Sequence, residues 1–173
     1  EAITWQIEQA RSQVRQSVNS AMVQSYWQIG RLIVNHEQQG ENRAAYGKQQ
    51  LQQLSAQLSE RLGKGFDVGN LRNMRQFYLT FPIHDAVRSE LSWTHYRALM
   101  RIDNSAARDW YLQEAISQSW SARALERQIS VLYYERLLAS QDKTLVEQEA
   151  KANTQPLAQS AKDYLRDPYV LDF

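Results

Sequence analysis

No cysteine occurs in the 173 residues, which excludes a disulfide scaffold and any cysteine-ligated metal site and fits a reducing compartment. Only 3 prolines and 6 glycines interrupt the chain, so long stretches contain nothing to break a helix. No apolar run approaches the roughly 20 residues of a membrane span, and the polar start Glu1-Ala2-Ile3-Thr4-Trp5 is no signal peptide. The expected location is the cytoplasm, without a membrane partner. Charge of one sign is missing too: 20 Lys and Arg against 19 Asp and Glu leave a formal net charge of +1. A protein that coats DNA carries a strong basic excess, so any nucleic-acid contact here has to be a local patch.

What is present favours helices. A hydrophobic fraction of 43% can build a core, and the abundant Gln, Leu, Ala, Arg and Glu lack the β-branched alternation of strands. An all-α fold is expected. From Ile3 to about His36 the positions Ile3, Ile7, Ala10, Val14, Val18, Ala21 (with Met22), Ser25 (with Tyr26), Ile29, Leu32 and Ile33 keep a helical rhythm without proline, which predicts one long helix or two nearly collinear ones. Gly30 interrupts the pattern at a cost of roughly 1 kcal/mol relative to alanine, a sign of close backbone packing or of a bend. The Gly40-Glu41-Asn42 break ends this segment, and a helix from about Arg43 to Leu62 follows.

The most informative stretch is Leu51 to Phe81. Leu51, Leu54, Leu58 and Leu62 form one apolar stripe, Gly63-Lys64-Gly65 cuts it, and Leu71, Met74 (or Arg75), Tyr78 and Phe81 form another behind Asp67. Gly63 and Gly65 can take positive φ at a helix end, and Asp67 can cap the next helix. The pattern reads as helix, tight turn, helix, stopped by Pro82. Between Val68 and Phe81 stand Arg72, Arg75, Asn70, Asn73 and Gln76 with no acid among them. Such side chains bond phosphates and base edges in a major groove, so a helix-turn-helix reader of nucleic acid is the leading hypothesis. Lys64 and Arg61 lie beside the corner, where a helix start meets a phosphate. Arg97 and Arg101, four apart, can extend the patch or pair with surface acids.

Residues Pro82 to Glu90 are too few for a sizeable β-wing, although winged-helix domains stay open as relatives of this core. Further helices are expected from Ser92, from Asp103 or Ser105, and from Ser119-Trp120-Ser121. The last of these turns Leu125, Ile129, Leu132 and Leu137 inward and reaches about Ser140. Domain boundaries follow: residues 1–140 as a helical domain for nucleic-acid binding, dimerisation or both, and 141–173 as a polar linker with some helical character.

Other chemistry gains little support. The aromatic side chains Trp27, Trp93, Trp110, Trp120, Tyr26, Tyr78, Tyr96 and Tyr111 could stack on single strands, but their helical spacing suits a core. His36, His84 and His95 show no metal-ligand spacing, and His95 suits the surface or core of its helix. Glu149-Ala150-Lys151 imitates the E-x-K end of a nuclease motif, with Asp142 upstream, but sits in an Ala-, Gln- and Glu-rich helical stretch. No catalytic residue, metal site, cofactor or small-molecule substrate is assigned to these residues.

Several phrases occur in order: Val18-Asn19-Ser20-Ala21-Met22, Tyr26-Trp27-Gln28-Ile29-Gly30-Arg31, Tyr46-Gly47, Leu62-Gly63-Lys64-Gly65-Phe66, Asn70-Leu71-Arg72-Asn73-Met74-Arg75-Gln76-Phe77-Tyr78, Leu91-Ser92-Trp93-Thr94-His95-Tyr96 and Trp120-Ser121-Ala122-Arg123-Ala124-Leu125-Glu126-Arg127-Gln128-Ile129. Together they resemble the amino-terminal domain of the YhcG family of PD-(D/E)xK nucleases over about Ile3 to Leu138. The resemblance implies a DNA-binding module ahead of a metal-dependent nuclease domain. Asp167 to Phe173 would be the entry to that domain, and the family's metal-binding carboxylates and lysine have no counterparts here. More weakly, Leu91 to Ile129 is similar to the helical segment that follows the helix-turn-helix of ParB-type proteins. The expected role is a targeting module for a nuclease, reading DNA with Lys64, Asn70, Arg72, Asn73, Arg75, Gln76, Arg97 and Arg101. The alternative is a dimerisation or partner-docking module, and a homodimer through the 3–36 helix is compatible with both.

Overall fold

A computed structural model describes residues 1–38, 45–83 and 90–155, with only the backbone of 45–48. Among the described residues the only regular elements are helices, with no strand: α1 (Ala2–Gln38), α2 (Ala45–Leu62), α3 (Val68–Thr80), α4 (Trp93–Leu99), α5 (Ser105–Ser117), α6 (Ala122–Ser130), α7 (Tyr133–Ala139) and α8 (Lys143–Thr154). The Gly40-Glu41-Asn42 break, most of the Pro82–Glu90 connector, His84 and the Asp167–Phe173 segment lie outside the described residues. The chain divides into two compact units, α1–α3 and α4–α8.

The first unit is built on the packing of α1 against α3. Val23, Tyr26, Trp27, Ile33 and Val34 of α1 are buried, as are Leu71, Met74 and Phe77 of α3, with Phe81 just beyond it. Gly30 lies at the centre of that packing. A Cβ there would stand 2.0 Å from the Met74 carbonyl oxygen, so the glycine is a close-packing residue and α1 runs through it as one helix. The Trp27 indole Nε1–H donates to the Phe81 carbonyl at 2.7 Å, and its ring meets Tyr78 edge-on at 5.2 Å between centroids. The buried face of α1 keeps only Tyr26 and Ile33 of the ladder expected to form it. Asn19, Val23, Tyr26, Trp27, Gly30, Ile33 and Val34 turn inward, whereas Ile3, Ile7, Ala10, Val14, Ala21 and Leu32 are exposed. At about 100° per residue the exposed ladder lies roughly 170° round the helix from the face on α3.

The corner between α2 and α3 has the chemistry its sequence predicts. Gly63 and Gly65 take φ of 83° and 107°. Asp67 caps α3 by accepting from the Asn70 amide at 3.1 Å, and the Asn70 side chain donates back to Asp67 Oδ2 at 2.6 Å and to the Gly65 carbonyl at 3.2 Å.

The second unit is organised by buried polar groups. His95 Nδ1 accepts from the Ser92 backbone N–H at 3.1 Å, which leaves the proton on Nε2 to donate to the Trp120 carbonyl at 2.9 Å. Its neutral form suits this setting, because burial pushes its pKa below the ordinary 6.5. The fully buried Gln128 donates to the Ala150 carbonyl at 3.0 Å. Asn104 caps α5 by accepting from the Ala107 amide, in place of the expected Asp103 or Ser105. The inward row ending in Leu137 also breaks: Leu132 adopts φ of 53° and is 57% exposed, dividing α6 from α7. The Tyr134 amide, which a continuous helix would pair with a carbonyl one turn back, donates to the Tyr111 hydroxyl at 3.1 Å. Residues 143–154, expected as linker with helical character, form α8, which packs on α6 and α7 and buries Ala150.

Candidate nucleic-acid interface

The outward face of α3 is set by what its inner face must bury. With Leu71, Met74 and Phe77 turned to the core, Arg72, Gln76 and Leu79 are forced outward, and Asn73 lies half-buried at their side. Among the described residues no acid pairs with Arg72, and Lys64 is exposed in the turn that leads to α3. The Gln76 amide donates to Thr80 Oγ1 at 3.1 Å along the same helix, an exposed bond that water or a ligand can replace.

Two of the expected contact residues have internal partners. Asn70 is buried, and its amide nitrogen donates within the corner, where it braces the Asp67 cap. Arg75 Nε lies 2.7 Å from Glu37 Oε2, tying the side of α3 to the last turn of α1. Glu60 and Asp67 are the acids that sequence proximity offers as partners for the arginines. Glu37, more than thirty positions away, gives no local signal.

Arg97 and Arg101 are exposed, but they belong to the second unit, on and just beyond α4. The aromatic residues that could have formed a stacking platform are core: Trp27, Trp93, Trp120, Tyr26, Tyr96 and Tyr111 are buried, and Trp110 and Tyr78 half-buried. Within the second unit Trp110, Trp120, Tyr133 and Tyr134 line a cavity of about 470 Å³ with Glu114 and Glu147 on its wall. Burial first, and the Glu147 charge second, push the Glu114 carboxyl above its usual range.

The E-x-K imitation has structural partners. Glu149 pairs with Arg136, which holds its carboxyl below the usual range, and Asp142 caps α8 by accepting from the Thr144 amide at 3.0 Å. Among the described residues no group of three or more His, Cys, Asp or Glu could hold a metal ion, and no helix is long and apolar enough to cross a membrane.

Fold and surface together define an all-helical module that presents a short basic helix on a braced corner. The chain belongs to the DUF1016 N-terminal domain family, whose model matches residues 2–136. It is homologous to the Escherichia coli (strain K12) protein named "Putative nuclease YhcG", with 38% identity over 200 aligned positions that cover 96% of this chain and 52% of the relative. The chain therefore spans about half the length of that curated relative. No solved structure matches.

Proposed function

We propose that the first unit is a nucleic-acid-targeting module of a nuclease, with α2, the corner and α3 acting as a helix-turn-helix and the outer face of α3 as the reading surface. The observation that carries this is the acid-free row of Arg72, Gln76 and Leu79 beside Asn73 and Lys64, on a helix whose opposite face is locked in a core. Arg72, Asn73 and Gln76 reach base edges, and Lys64 contacts phosphate. Arg75 contributes to phosphate binding when Glu37 releases it. Asn70 acts through the corner it closes. Arg97 and Arg101 are phosphate contacts of the second unit. Nuclease chemistry, and the divalent metal it requires, are proposed for the half of the relative that this chain does not cover. Glu149 and Asp142 do not fit that metal, since one is committed to Arg136 and the other to a helix cap.

Equilibrium binding of the chain to a labelled duplex, a single strand and a branched junction across a salt series tests this. The expected result is affinity that falls steeply with salt. For the Arg72→Ala, Arg75→Ala double variant, weaker binding is expected with a slope smaller by about 0.9 for each phosphate that is no longer neutralised. Binding to none of the three, or an affinity unchanged in the double variant, would contradict it.

A further inference from the structure

We propose that the cavity bordered by α5, α7 and α8 is a binding site for a compact organic cation of the quaternary ammonium class. Its volume of about 470 Å³ lies in the range of small-molecule sites. Trp110 of α5 and Tyr133 and Tyr134 of α7 line it, joined by Trp120 just beyond α5. These rings do not stack. Trp110 meets Tyr133 at 5.3 Å between centroids and 71° between planes, and Tyr134 at 5.4 Å and 42°. Trp120 stands 6.2 Å from Tyr133 at 50°. Mutually inclined rings around one space make an aromatic cage, in which the ring quadrupoles attract a cation.

Two carboxylates give the cage its sign. Glu114 of α5 and Glu147 of α8 line the same cavity, and among the described residues neither forms an ion pair. Burial and the Glu147 charge push the Glu114 carboxyl up, and the Gln118 amide, not a cation, pulls it back. Both acids also act on Tyr133: after burial, their charges push its hydroxyl above its ordinary value. A cation between them would relieve this repulsion. Lys143 and Lys151 border the cavity from α8 without pairing with either acid. Their charge counts against a polyamine or a lysine-rich segment and favours a single compact cation. A primary ammonium is strongly hydrated and asks for several hydrogen-bond acceptors. A quaternary ammonium has no N–H to satisfy and gains most from aromatic walls, so the two glutamates serve it through charge alone.

Titration of the full chain with choline chloride at constant ionic strength, followed by NMR through the indole N–H signals of its 5 tryptophans, tests the proposal independently of nucleic-acid binding. Saturable shifts are expected for Trp110 and Trp120, and none for Trp5 and Trp27 of the first unit. The uncharged carbon analogue of choline, with a tert-butyl group in place of the trimethylammonium, is expected to bind about tenfold more weakly or not at all. The Glu114→Gln, Glu147→Gln double variant keeps the side-chain shapes and should lose about tenfold in choline affinity. Glu147→Gln alone alters an exposed side chain, leaves the fold intact and should lose part of that. No saturable shift of Trp110 and Trp120, equal binding of the uncharged analogue, or an affinity unchanged in both variants would overturn the inference. Tighter binding of putrescine than of choline would overturn the assignment to the quaternary class.

Discussion

The two units hold themselves together by different means. The α1–α3 unit relies on apolar interlock: a glycine admits one helix to the backbone of another, and Trp27, Phe77 and Phe81 fill the space around that meeting point. Around that core Arg31, Lys64 and Arg72 are exposed and Arg75 is half-buried. The α4–α8 unit places His95, Gln128 and the Tyr111 hydroxyl inside, each bonded to a backbone group from a different element. Burial pushes the pKa of the Tyr111 hydroxyl up to about 12, so it stays protonated as donor and acceptor. The contrast teaches that surface charge in the first unit can change without cost to its core, whereas the second unit depends on the protonation state of its interior.

The largest effect should come from the glycine at the helix crossing. Gly30→Ala places a methyl group into the Met74 carbonyl, which neither helix can yield without separating, and a loss of about 2–3 kcal/mol is expected by chemical denaturation. A neutral outcome would mean that α1 and α3 can slide apart and that the apolar interlock is not what holds this unit.

Next comes pH. The folded-state pKa of His95 lies below its unfolded value of 6.5 because burial disfavours the imidazolium. The unfolded chain therefore takes up a proton first, and stability is expected to fall as pH drops through about 6.5 toward the lower folded value, while remaining flat above it. Thermal unfolding followed through Trp fluorescence at stepped pH checks this. A His95→Gln variant is expected to be less stable at neutral pH and to lose much of the dependence. A dependence carried entirely by the first unit would break the comparison.

A smaller effect is expected at Leu132, a branched side chain held in the left-handed region at the α6–α7 break. Leu132→Gly removes that strain and should raise stability by about 1 kcal/mol. A decrease instead would show that packing of the exposed leucine outweighs its backbone strain.

Local punctuation in the sequence is reliable where the chain itself makes the structure. Gly63, Gly65 and Asp67 form the corner from neighbouring atoms, and Ser121 caps α6 by accepting from the Ala124 amide. Periodicity reveals that α1 is helical and long, but it cannot say which stripe is buried. Two apolar lines run along that helix, and only the position of α3 selects the one through Tyr26, Trp27 and Gly30. The α6–α7 break has no local sign: the Tyr111 hydroxyl that accepts from the Tyr134 amide there stands more than twenty residues away. The Glu37 partner of Arg75 is hidden for the same reason, and the Asn70 brace depends on how the corner closes. The outward placement of Arg72 and Gln76 is legible in advance, since burying Leu71 and Phe77 fixes it.

The most direct test sets the two units against each other in nucleic-acid binding. One pair of variants, Lys64→Ala with Arg72→Ala, removes cations from the corner and α3. A second pair, Arg97→Ala with Arg101→Ala, removes the same charge from the second unit. Fluorescence anisotropy of a labelled duplex at fixed salt should show the first pair losing about tenfold or more in affinity and the second pair less. Equal losses would reduce the interface to net charge, and a larger loss from the second pair would place the reader outside α3.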